Sequence, residues 1–129
     1  MKSHVFAFLA AAAFATATPI VHAQTWDYQI YDRSGRMTAP GYITLSDKGG
    51  GEYTIKMFAS NLDQCWKSPL KATVEKSDET LTIETIPPYL GCYPVRFVIR
   101  NDGSGGERQD KKADVWVSDG KSRGLTLKQ

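Results

Sequence analysis

The chain has 129 residues, with 16 Lys and Arg against 14 Asp and Glu, a formal net charge of +2 at pH 7. So even a balance excludes the strong electrostatic pull that carries non-specific binding to nucleic acid or to an anionic membrane. Two cysteines and two histidines leave little material for metal sites, and the length suits one domain.

The first predicted element is an export signal over residues 1–23. Lys2 supplies a short positive region, no acidic residue precedes Asp27, and an apolar run extends from Val5 to Ala17. Pro19 breaks any helix, and Val21-His22-Ala23 offers small residues where a signal peptidase reads. The run is shorter than the roughly 20 residues that span a bilayer, so cleavage after Ala23 is expected and membrane insertion is not. Both histidines, His4 and His22, leave with the signal, and so does Lys2. The working domain, 24–129, then holds 15 Lys and Arg against 14 acids and no histidine.

Period-two alternation predicts strands from there on. Trp26, Tyr28 and Ile30 alternate with polar neighbours, and Tyr42–Leu45 follows the Ser34-Gly35 turn. Gly49-Gly50-Gly51 turns the chain into Tyr53–Phe58. Residues 59–68 read as a loop or a single helical turn. Leu70–Glu75 and Leu81–Thr85 flank a Ser77-Asp78-Glu79 turn, and Ile86–Pro94, with three prolines, reads as irregular. Val95–Arg100 is a strand, Asn101–Gly106 a Gly-rich turn, and further strands are expected around Ala113–Val117 and Leu125–Leu127. Seven to eight short strands at this spacing predict an all-β antiparallel meander forming a barrel or a sandwich.

Two cysteines in an exported chain predict one disulfide, Cys65–Cys92, closing a loop of 28 residues counted end to end. Trp26, Trp66 and Trp116 are expected in the core or partly buried, with Trp66, beside Cys65, the one expected nearest the surface.

Without histidine in the working domain, a Ser-His-Asp triad, a Cys-His dyad and a His-ligated zinc site are excluded. No catalytic residue, metal site or cofactor is predicted. A carboxylate pair would need to be recognised in space, and most acids here fall at turns or on polar strand faces. Gly120-Lys121-Ser122 lacks the upstream Gly of a phosphate loop, because Val115 occupies that position. Asn101–Glu107 lacks the closing Glu of a calcium loop. Arg96, Arg100, Arg108, Lys111 and Lys112 gather around the Gly-rich hairpin, and Arg123 follows. They read either as a basic rim for an acidic partner or as a solvated strand face that discourages edge pairing.

Asp102-Gly103-Ser104-Gly105-Gly106-Glu107-Arg108, then Trp116 and Leu125, resembles the end of the membrane-bound and periplasmic inhibitors of c-type lysozyme. The resemblance covers about 25 residues. It implies a small exported β-barrel whose Ser-Gly loop and a second Lys-Gly turn block a lysozyme cleft. Ser104 would sit in the first loop. Ser118-Asp119-Gly120-Lys121 departs from the second, since its Lys follows the Gly, and the cysteine positions differ from the family's.

The expected function is that of a small exported non-enzymatic binding protein, an inhibitor or protective factor with a protein partner. Its candidate binding residues are Ser104, Lys121, Arg108 and Arg123. The alternatives are a small-ligand-binding β-barrel of the periplasm and a carboxylate-based hydrolase.

Overall fold

The computed structural model describes residues 22–59, 62–120 and 122–127. Residues 1–21 of the predicted signal lie outside them, as does Lys121; of Arg123 only the backbone is described.

Nine strands are present among the described residues: β1 His22–Tyr31, β2 Met37–Gly49, β3 Glu52–Ala59, β4 Leu70–Lys76, β5 Thr80–Thr85, β6 Val95–Arg100, β7 Gly106–Lys112, β8 Val115–Ser118 and β9 Ser122–Leu127. All pair antiparallel in one sheet of order β8-β7-β6-β5-β4-β3-β2-β1-β9. The first eight form an up-and-down meander. The two edge strands are β8 and β9, which follow one another in the chain, so the chain itself links the sheet's two ends. Among the described residues the hydrogen-bonded ladder is not closed, although β9 touches β7.

One face of the sheet encloses the core because the apolar residues alternate. Tyr28, Ile43, Ile55, Ile83 and Phe97 are all buried and come from five strands. Their polar neighbours along each strand point outward. Tyr28 and Trp66 each meet Phe97 edge on, with ring centroids 5.7 and 6.2 Å apart. Trp66 is therefore core, 5% exposed, against the expectation that it sits nearest the surface. It is carried there by a 3₁₀ turn, Gln64–Trp66, whose start is capped by the Asp63 carboxylate accepting from the Cys65 N–H at 2.9 Å. Trp116 is the outward-facing one, half-buried under Arg96 and Lys111.

The strand that alternation does not reveal is β7, Gly-Glu-Arg-Gln-Asp-Lys-Lys. It has no apolar side chain to mark a face, and its place is fixed by ladders to β6 and β8. The hairpin into β8 turns on Ala113 and Asp114, both at positive φ (49° and 62°), which suits a tight two-residue hairpin. Ala113, read from sequence as strand, is turn.

A disulfide joins Cys65 to Cys92 with Cα atoms 5.8 Å apart, tying the β3–β4 connection to the β5–β6 connection. Such a bond belongs to an oxidising, exported environment. Chain-entropy arithmetic for this loop gives about 3–4 kcal/mol. A Cys65→Ser/Cys92→Ser double variant is expected to lose stability of that order in urea denaturation; an unchanged midpoint would mean that the unfolded chain is not what the bond constrains.

Candidate functional site

In an antiparallel meander, alternate connections share an end. The β1–β2 turn, the 3₁₀ segment, residues 86–94 and the 113–114 turn lie at one end. Residues 50–51, 77–79 and 101–105 lie at the other.

The predicted Ser104 belongs to that second end. Its hydroxyl accepts from Arg100 Nε at 2.6 Å, and its N–H donates to Asp102 Oδ1 at 2.9 Å. The Ser104 hydroxyl and N–H, followed by the nearby Arg100 charge, hold the Asp102 carboxyl below the ordinary aspartate value. Gly105 lies at φ +121°, and a Cβ there would come within 2.7 Å of the Gly124 carbonyl oxygen. The Ser104 loop and the 122–127 segment are thus brought together by a close backbone approach that glycine permits.

Arg108 is not with Ser104 on the loop. It faces the interior from β7, opposite Phe97, and its Nη1 donates to the Tyr28 hydroxyl at 3.1 Å. Its Nε donates to Asp110 Oδ1 at 3.2 Å and lies 3.9 Å from Asp119 Oδ2. Burial opposes the charge, but Tyr28 and Asp110 more than offset it, so the guanidinium stays protonated. Arg108 is a cross-sheet tie. Arg96, by contrast, is on the outer face, bonded to Glu84 at 3.0 Å and lying 4.3 Å over the Trp116 ring.

The most distinctive surface is the segment 86–94, Ile-Pro-Pro-Tyr-Leu-Gly-Cys-Tyr-Pro, which sequence reading left as irregular. Leu90 is 99% exposed, Tyr93 80% and Tyr89 52%. The segment is nevertheless held at several points. The Ile86 N–H donates to the Lys71 carbonyl at 2.8 Å. The Val95 N–H donates to the buried Thr85 hydroxyl at 2.8 Å. The Cys92 N–H closes a turn onto the Tyr89 carbonyl at 3.2 Å, and Cys92 is bonded to Cys65. Three prolines fix φ on either side of the tip. The signal available in sequence was the pairing of prolines with a disulfide cysteine around Tyr89-Leu90, which marks a loop both rigid and apolar.

Two clefts flank this loop. One, of about 310 Å³, runs from Gly91, Tyr93 and Trp66 to Arg108, Lys111 and Lys112. The other is lined by Leu70, Lys71, Ile86, Pro87 and Pro88. At the far end a cleft of about 600 Å³ is lined by Asp78, Glu79, Asp102 and Glu107, with Arg100. No group of three or more His, Cys, Asp or Glu among the described residues is arranged to hold a metal. Comparison with family models, with curated proteins and with solved structures finds no match to the chain.

Replacing Arg108 with Met should cost about 1–3 kcal/mol in urea denaturation, the range for a lost charged hydrogen bond. Adding Asp110→Asn, which removes the carboxylate that Arg108 Nε bonds at 3.2 Å, should recover part of that loss. If Arg108 instead contacts a partner, Arg108→Met leaves stability unchanged and removes binding. For Asp102 the depressed folded value means that its contribution is present above the unfolded value and is lost as pH falls through the folded one. Carboxyl NMR should place its midpoint below the ordinary aspartate value, and Ser104→Ala should raise it.

Proposed function

We propose that this chain is a small exported binding protein without catalytic activity, working in the periplasm or outside the cell as an inhibitor or protective factor against an enzyme. Its contact with that protein partner is the loop 86–94. The supporting observation is Leu90, fully exposed at the tip of a segment held by a disulfide and by hydrogen bonds at both its ends.

A leucine in water adds nothing to the stability of its own domain. Buried against a partner it would contribute about 1.5–3 kcal/mol. Tyr89 and Tyr93 flank it, and tyrosine is among the residues that dominate binding hot spots. Because the loop is already ordered, docking costs little conformational entropy. The Ser104 loop is the weaker candidate surface: its hydroxyl is engaged by Arg100, and it lies at the opposite end of the sheet.

The interior argues against a small-ligand carrier, since Trp26, Tyr28, Trp66 and Phe97 are all packed within it. A hydrolase would use the acidic cleft, where the Ser104 hydroxyl and N–H hold the Asp102 carboxyl below its ordinary value, so Asp102 suits the ionised member of a carboxylate pair and not its acid.

Capture from the native envelope and culture fluid with the purified domain tests the proposal. The expected result is a partner retained by wild type and by Ser104→Ala but lost with Leu90→Asp, whose exposed position spares the fold. Retention by Leu90→Asp would remove the loop from the contact. The resemblance in the C-terminal third makes c-, g- and i-type lysozymes the first enzymes to assay. Inhibition that disappears with Leu90→Asp supports that version, and no inhibition of any of the three removes it.

A further inference from the structure

We infer that the partner presents carboxylates around an apolar seat, and that the basic residues on both flanks of the loop 86–94 orient and hold it; the inference rests on that loop being the binding element. The chain's net charge of +2 conceals a separation of charge along the strands. On one side of the loop, Lys71 lines the cleft formed with Ile86, Pro87 and Pro88, and no acid lines that cleft. On the other side, Lys111 and Lys112 line the cleft that Tyr93 borders, together with Arg108, whose charge Asp110 and Asp119 already balance. The acids there are Asp63 and Asp110, and Asp110 is already bonded to Arg108 at 3.2 Å. The cleft between the 77–79 and 101–105 turns at the opposite end reverses the sign, with Asp78, Glu79, Asp102 and Glu107 around Arg100.

An acidic partner is therefore drawn to the loop end and repelled from the other, which selects one docking orientation before contact. On arrival, Leu90 and Tyr93 supply apolar area, while Lys71 and Lys112, both exposed, meet carboxylates at the rim. The relief of the surface favours a protein over a lipid headgroup layer. A projecting tip between two clefts, one reaching down to the buried Trp66, matches a shaped partner and not a flat one. The carboxylate of Asp63 would also face anionic headgroups.

The probes are two random peptide libraries, one containing Asp and Glu and one without them, selected on the immobilised domain, with phosphatidylglycerol vesicles as a third. Binders are expected from the acidic library, carrying carboxylates next to an aromatic or aliphatic residue. Their affinity should fall with rising salt and drop about tenfold or more in Lys71→Glu/Lys112→Glu. Lys71→Gln/Lys112→Gln, which adds no like charge to the fold, should show a smaller loss in the same direction. Thr126→Ala, exposed on β9 and away from both clefts, should leave affinity unchanged. Equal binding from the acid-free library, abolished by Leu90→Asp, would overturn the acidic-partner inference while leaving the loop as the contact. Binders indifferent to Leu90→Asp would overturn the loop itself. Vesicle binding that Leu90→Asp abolishes, with no peptide selected, would replace the protein partner by a lipid surface.

Discussion

The hydrogen bond from Arg108 to the Tyr28 hydroxyl joins the two halves of a sheet whose ladder does not close. The residues are 80 positions apart, on β7 and β1, next to the two edges. A meander with one apolar face must bend until that face is covered, and the gap between its edges is where water would enter. At that gap the inner positions of β7 are polar, so sealing depends on a charge that is itself satisfied. Arg108 reaches Tyr28 on one side while Asp110 and Asp119 balance it on the other. The edge is completed by Leu125, fully buried and at φ 53°, the extra residue where the β1–β9 register shifts. A left-handed leucine costs about 1–2 kcal/mol, which burial of its side chain offsets.

How much of this was legible in the chain follows from what each strand buries. β1, β3, β5 and β6 carry alternating apolar residues, and their inward faces are those that alternation marks. The disulfide was legible from two cysteines in a chain read as exported, and the stretch around Cys65, read as a loop or a single helical turn, holds a 3₁₀ turn. β7 was not, because a strand whose inner face is Gly106, Arg108 and Asp110 has no hydrophobic period to detect. For the same reason Arg108 read as part of a surface rim. Trp66 lies deeper than expected because a short turn inserts it into the core, while Trp116 is partly buried, as expected, beneath the charged side chains of β6 and β7. The separation of charge between the two ends was hidden from composition, since it depends on which turns share an end.

The outer face of the sheet is a poor surface for a partner. Glu84 pairs with Arg96, and the Arg96 guanidinium lies over Trp116, across β5, β6 and β8. Exposed pairs of this kind add little stability, but a partner would have to break them before gaining contacts of its own. Binding is better carried where apolar area is exposed and polar groups are already paired, and the 86–94 loop meets both conditions. Its backbone is bonded at Ile86, Cys92 and Val95, while Leu90 and Tyr93 are left largely exposed and Tyr89 half-exposed.

One covalent bond thereby serves both the fold and the surface. Cys65 follows the cap of the turn that inserts Trp66 into the core, and Cys92 closes the turn that projects Leu90. Opening the bond releases a core anchor and the exposed tip together, so under the proposed function stability and affinity are coupled through it. A loop of this length without the bond would spend part of its binding free energy on becoming ordered. With the bond, that ordering is completed at folding, under the oxidising conditions that form it.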